Sequence, residues 1–255
     1  MSKIFDTHAH YDDKAFDPDR EELLNRLFSS DICNVINVGC SVEASKKSVE
    51  LSLKYPQIFA AVGVHPLEIK DSPENYIDIL KKLSSNEKVV AIGEIGLDYH
   101  YDDAPSDEIQ KQVFELQLRL AKDLDFPVII HSRESTLDTL NILKKYKPKG
   151  VVHCFSGSLE SAQEILDIGM YIGLGGTVTF KNAKNPINVA KHIPIDRLLL
   201  ETDAPYMSPT PFRGKRCDSS LIKYTAEKIC EIRNIKFDYL LETTKNNART
   251  LFLSK

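Results

Sequence analysis

Short apolar, β-branched runs alternate with longer amphipathic stretches from one end of this chain to the other, and no segment rich in Pro, Gly or Ser breaks the rhythm. Residues 4–7, 32–38, 58–64, 89–94, 127–131, 150–154, 171–173 and 198–202 read as strands. Most are apolar at consecutive positions, the pattern of strands buried on both faces of a parallel sheet. Between them, residues 19–28, 43–55, 108–124, 134–146, 158–167, 219–233 and 237–252 read as helices. In the clearest of these, Val113, Leu116, Leu120 and Leu124 recur at helical spacing and predict its buried stripe. Pro73 and Pro186 fall at expected helix starts, where a missing amide hydrogen costs little. The seventh unit is the weakest, because residues 181–191 are short and polar.

Eight strands, each followed by a helix or helix-like stretch, predict an α/β protein: a (β/α)8 TIM barrel forming a single domain over residues 1–255. An open doubly wound sheet is the alternative, but no G-x-G-x-x-G or P-loop signature follows the first strand.

Composition narrows the class. No run of 18 apolar residues is present, so no membrane span is expected. The start, Met1 to His8, carries charge and imidazole where a signal peptide needs an apolar core, which predicts a cytoplasmic protein. Five cysteines form no C-x-x-C pair, which argues against a disulfide framework or a thiolate zinc site. A net charge of −4 provides no overall basic footprint for a stoichiometric nucleic-acid binder. No obligate protein partner is evident.

The chemistry is concentrated where the strands end. Asp6, His8 and His10 recur with period two, so they are expected to share one face of the first strand and point into the barrel. Further apolar runs end at His65, Glu94, His131, His153 and, after Glu201-Thr202, at Asp203. Each of these runs thus delivers an acid or imidazole to the C-terminal face, where barrel active sites are built. Taken singly, any one of them reads as a hydrogen-bonded core residue. Converging on one rim, His8, His10, Glu94, His131, His153 and Asp203 are costly to bury without a cation.

Four imidazoles and two carboxylates suit Zn, Mn, Fe or Co; Mg prefers oxygen ligands and fits less well. Six ligands exceed the needs of one tetrahedral ion and suit two divalent metal ions, about 3.5–4 Å apart, sharing a carboxylate. Glu94 is the expected bridge and Asp203 the expected group to deprotonate a water. Glu201 reads as a support behind the ligands, and His65 as a support, a phosphate contact or a structural histidine. His100 and His192 read as solvated.

The motifs Asp6-Thr7-His8-Ala9-His10, Gly63-Val64-His65-Pro66, Gly93-Glu94-Ile95-Gly96-Leu97-Asp98-Tyr99, His131-Ser132-Arg133 and His153-Cys154-Phe155-Ser156-Gly157 together carry a resemblance. So do Gly173-Leu174-Gly175-Gly176, 200–206 and 211–216. The chain resembles the TatD-type metal-dependent deoxyribonucleases, a family of the amidohydrolase-like barrels, over essentially its whole length. The resemblance implies one metal on His8, His10, Glu94 and Asp203, and another on Glu94, His131 and His153. It further implies hydrolysis of DNA phosphodiesters, largely exonucleolytic, with DNA as a transient substrate.

Arg133, Arg213, Lys215 and Arg216 are candidates to hold phosphate, and Tyr99, Tyr206 and Phe212 to stack an unpaired base. Each reads equally well as a solvated charge or a loop-packing aromatic. Two other readings stay open: a metal-dependent ester or amide hydrolase acting on a small metabolite or an aminoacyl ester of RNA, and a non-catalytic interaction protein on the same scaffold.

Overall fold

The computed structural model describes residues 3–254. Eight parallel strands follow one another around a barrel in chain order: β1 (Ile4–Ala9), β2 (Ile32–Val38), β3 (Ile58–Val62), β4 (Val89–Asp98), β5 (Val128–Arg133), β6 (Gly150–Val152), β7 (Tyr171–Leu174) and β8 (Leu198–Leu200). The helices α1 (Arg20–Phe28), α2 (Val42–Lys54), α3 (Tyr76–Leu83), α4 (Asp107–Asp123), α5 (Thr136–Tyr146), α6 (Leu159–Asp167) and α7 (Lys184–His192) fill the successive crossovers. Two helices, α8 (Ile222–Arg233) and α9 (Phe237–Phe252), follow the last strand. The chain is a (β/α)8 barrel, as its rhythm predicts. Among the described residues no helix is long and apolar enough to cross a membrane.

The ends of the barrel meet at the rim. Ala9 bridges Ala204 in parallel, Asp203 N–H donates to His8 O (2.9 Å) and His10 N–H to Ala204 O (2.7 Å). Beneath this seam, Phe5, Ile36, Ala61, Val90, Ile129, Val151, Tyr171 and Leu199, one from each strand, form an apolar cluster that also includes Ala248 and Phe252 of α9. Side chains shared by all eight strands fill the lumen, so the barrel is a packed core with a polar layer only at its C-terminal end.

Three expectations need correction. First, β4 runs four residues beyond Glu94, to Asp98. Second, the buried face of α4 is Gln110, Phe114, Gln117, Leu118, Leu120 and Ala121, while Leu116 is exposed. Hydrophobic periodicity missed the glutamines because their burial serves hydrogen bonding. Gln117 Oε1 accepts from Val64 N–H (2.8 Å) and its Nε2 donates to Val64 O (2.9 Å). Gln110 does the same for both backbone groups of Asp98. Two amides thereby satisfy backbone groups past β3 and at the end of β4 that no neighbouring strand reaches.

Third, Asp6 does not join the histidines. The pairing of β1 with β2 shifts register between Asp6 and Ala9, which breaks the simple alternation. Its carboxylate instead accepts from Thr202 N–H (3.0 Å), Thr202 Oγ1 (2.7 Å) and Ser219 Oγ (2.6 Å). Burial raises its pKa to about 6 despite these bonds. Asp6 ties the first strand to the end of the last and to the turn leading into α8.

Candidate metal centre

His8 lies in β1 and His10 just beyond it, Glu94 in β4, His131 in β5, His153 just after β6, and Asp203 three residues after β8. The structure brings all six together. His8 Nε2 and His10 Nε2 are 3.1 Å apart and face Glu94 Oε2 at 3.5 and 3.7 Å. Asp203 Oδ1 lies 3.4 Å from His10 Nε2 and 3.7 Å from His8 Nε2. The other oxygen of Glu94, Oε1, faces His153 Nε2 at 2.7 Å and His131 Nδ1 at 2.9 Å, and these nitrogens are 3.4 Å apart. One buried carboxylate divides its two oxygens between two pairs of imidazoles.

The donor set fits divalent cations. Nitrogen lone pairs held this close repel unless a proton or a cation lies between them. An ion with ligands at about 2.0–2.2 Å separates neighbouring donors by roughly 2.8–3.6 Å, in octahedral or tetrahedral arrangement. The separations within His8, His10 and Glu94 are 3.1–3.7 Å, and within Glu94, His131 and His153 they are 2.7–3.4 Å. Both trios have donor atoms within 4.8 Å of one another, as do His65, Asp98 and His131.

Partners behind the rings set which nitrogen is free. His10 Nδ1 is 2.7 Å from Val38 O, so it carries hydrogen and leaves Nε2 open. His131 Nε2 is 3.0 Å from Asp98 Oδ2, which leaves Nδ1 open. His8 and His153 stack at 3.9 Å with 9° between their planes. Their Nδ1 atoms have no hydrogen-bond partner among the described residues, nor does Glu201 Oε2. All three are buried, and the donor atoms of His8, His153 and Glu201 gather within 4.8 Å. Glu201 Oε1 accepts the Cys154 N–H and lies 3.8 Å from His153 Nδ1. Glu201 therefore sits behind two imidazoles, as its spacing from Asp203 implies. Gly173 makes the room: a Cβ there would lie 2.4 Å from Glu201 Oε2.

Burial and proximity set the charges. Burial and His153 push His8 down to about 4, and burial with His131 pushes His65 down to about 3. Burial also lowers His131, but the Asp98 and Glu94 carboxylates overcome it and raise the ring to about 9. Burial is overcome at His10 too, where the Asp203 carboxylate leads the groups that hold it well above the usual value. Against burial, the imidazoles keep Glu94 well below the usual carboxylate range and also lower Asp203. Burial raises Glu201 to about 7. Asp203 has φ 63°, Glu134, directly after β5, has φ 55°, and Cys154, two residues after β6, has φ 43°. Such left-handed non-glycine residues cluster at functional sites.

The remaining candidates separate into near and far. His65 Nε2 is 3.8 Å from Glu94 Oε1, and its Nδ1 accepts from Leu67 N–H (3.2 Å). Arg133 lies over the Tyr101 ring (5.1 Å) and donates to its hydroxyl, and Arg213 lies over the Phe180 ring (3.6 Å). Lys215 is exposed. Tyr206 is 53% exposed, edge-on to His10 at 6.3 Å. Three others are engaged within the fold. Tyr99 gives its hydroxyl to Asp138 (2.9 Å) and packs against the core. Phe212 packs on Tyr224 (4.9 Å). Arg216 is held bidentately by Asp19 at 2.7 and 2.6 Å. His100 is not simply solvated but pairs with Glu134 at 2.6 Å, whereas His192 is exposed.

Sequence reasoning missed Asp98 and Tyr101. Asp98 was findable, because it stands four residues beyond Glu94 in the same run and continues the strand's alternation. Tyr101 had no signal in the sequence.

The comparisons agree with this geometry. The model of the TatD related DNase family matches residues 5–253. The chain is 45% identical to the metal-dependent hydrolase YabD of Bacillus subtilis, over 98% of each chain. It is 30% identical to the 3′-5′ ssDNA/RNA exonuclease TatD of Salmonella typhimurium, again over 98% of each. The crystal structure of YjjV, a TatD homologue from Escherichia coli, superposes with a TM-score of 0.92 at 34% identity, covering 99% of this chain and 98% of that one. The chain belongs to the TatD-related DNase family of metal-dependent hydrolases.

Proposed function

We propose that this hydrolase cleaves DNA phosphodiester bonds, acting as a 3′–5′ exonuclease on single-stranded or frayed ends with two divalent metal ions (Zn, Mn, Mg, Fe or Co). The observation that carries the reading is the divided carboxylate of Glu94, one oxygen toward His8 and His10 and the other toward His131 and His153. His8, His10, Glu94 and Asp203 would hold one ion, and Glu94, His131 and His153 the other. When bound, such ions stabilise charge on the phosphoryl oxygens and lower the pKa of the attacking water. The Salmonella relative supports nucleic acid as the substrate.

Asp203 takes the proton. Its carboxylate is 15% exposed, against 0% for His8, and the neighbouring imidazoles keep it ionised. Water adds to phosphorus, the bond from phosphorus to the leaving 3′-oxygen breaks, and that oxygen gains a proton. The products are a phosphomonoester and an alcohol. His65 is neutral with Nδ1 engaged as an acceptor, so Nε2 carries hydrogen toward the centre, where it can donate to a substrate oxygen. Arg133 and Arg213, each braced on an aromatic ring, and Lys215 offer charge to flanking phosphates. Tyr206 offers a face for an unpaired base. All five cysteines are free thiols, in keeping with a cytoplasmic location.

The test is a 3′-labelled and a 5′-labelled single-stranded oligonucleotide, incubated with purified protein and each metal in turn. Stepwise shortening from the 3′ end supports the reading. Protein shown to be folded that cleaves carboxylic esters but no phosphodiester with any metal would replace the substrate class.

A further inference from the structure

Beside the centre, the tops of α5 and α6 enclose a cavity of about 430 Å³. It adjoins the centre, because His153 is among its lining residues and turns Nε2 to Glu94. Its floor is apolar, with Leu140 and Ile165, and its walls carry hydroxyl and amide groups, among them Ser158 and Asn185. Glu134 is the one acidic side chain lining it, and no lysine or arginine does. That carboxylate is anchored at the mouth by His100, 2.6 Å away.

This lining selects against an anion. A phosphate would meet Glu134 with no lysine or arginine in the lining to offset it, whereas Arg133 and Arg213 stand outside the cavity, braced on Tyr101 and Phe180. A neutral group with one apolar face and several hydroxyls matches it. The volume falls in the range of pockets for single small ligands and is too small for a duplex.

We infer that this cavity is the subsite for the terminal nucleoside, taking its sugar and base while the attached phosphate lies over the centre. Glu134 accepts a hydrogen bond from a sugar hydroxyl, and Leu140 and Ile165 underlie the base. The assignment rests on the phosphodiesterase reading for its place in turnover, though the pocket itself can be tested by binding alone.

Two chromogenic esters separate the claims: thymidine 5′-(p-nitrophenyl phosphate), which carries a nucleoside, and bis(p-nitrophenyl) phosphate, which does not. The full-length enzyme is expected to favour the first by about tenfold or more in kcat/KM, from apolar burial and hydrogen bonding in the pocket. Ser161, which lines the cavity from α6, provides the block. Ser161→Phe is expected to collapse that ratio roughly tenfold, and Leu137→Ala, at an exposed position of α5 outside the lining, to preserve it.

Equilibrium dialysis of the metal-free full-length protein with thymidine is independent of turnover. It should show saturable binding that Ser161→Phe abolishes and Glu134→Gln weakens about tenfold. Hydrolysis of both esters with no preference, or absence of thymidine binding, overturns the inference while leaving the phosphodiesterase reading intact. Thymidine binding without hydrolysis of either ester keeps the pocket and sinks the reaction.

Discussion

The two halves joined by Glu94 are built differently. The first draws both imidazoles, His8 and His10, from a single strand end and adds Asp203, so two carboxylate oxygens face two nitrogens. The second draws His131 and His153 from neighbouring strand ends and has only Glu94 Oε1 as its carboxylate oxygen. A backbone carbonyl orients His10, whereas the Asp98 carboxylate orients His131. In the first half His8 is fully buried, and in the second His131 is 18% exposed. The extra carboxylate should hold a cation more firmly in the first half. The second should release its ion first under a chelator.

Removing the shared group erases the comparison altogether and has the largest expected effect. Glu94→Ala should deplete both ions and lower turnover by on the order of 10³-fold or more, since metal and electrostatic stabilisation each contribute several kcal/mol. Elemental analysis beside the oligonucleotide assay checks this. A variant that kept one ion at full occupancy would mean the carboxylate is not needed by both halves.

Next in size is Asp203→Asn, which keeps the shape of the first half but removes the proton acceptor. A fall of about 10²–10⁴-fold in kcat with little change in KM is expected. An unchanged kcat would move the base elsewhere.

Two substitutions behind the rings sharpen the contrast. Of the four imidazoles around Glu94 that would hold the ions, Asp98 bonds His131 alone, so Asp98→Asn should weaken the second ion by about 10–100-fold while sparing the first. Glu201→Gln lies behind one imidazole of each half, and should weaken both. Metal titrations of the two variants, compared side by side, would reveal whether the halves are independent.

The smallest effect is protonic. In the metal-free chain His10 and His131 hold protons that a cation must displace. His131 is raised from 6.5 to about 9, so its bonds to Glu94 and Asp98 stabilise the metal-free fold fully below pH 6.5. That contribution is lost as pH rises through about 9, and apparent metal affinity should climb over the same window. Calorimetry at pH 7 in buffers of differing ionisation enthalpy should detect protons released on full loading, since His10, His131 and His153 are all raised above the usual imidazole value. No release would mean the imidazoles are already neutral.

Much of this architecture could be read from residue order because a parallel barrel buries its strands on both faces and leaves long apolar signatures. The six converging groups were legible for the same reason, since each ends such a run. What sequence could not show depends on bulges and on polar groups buried for hydrogen bonding. The register shift in β1 turns Asp6 away from the histidines it alternates with. Gln110 and Gln117 are buried because they cap backbone, which no hydrophobic period reports. Loop aromatics were the least legible: Tyr99 and Phe212 are packed, and Tyr101 and Tyr206 are exposed, through tertiary contacts far apart in sequence.

The central claim is that one glutamate serves two cations, and anomalous diffraction from crystals grown with manganese tests it most directly. Two peaks are expected, one beside Glu94 Oε2 among His8, His10 and Asp203, the other beside Oε1 between His131 and His153. A single peak, or two peaks of which only one touches Glu94, would contradict it.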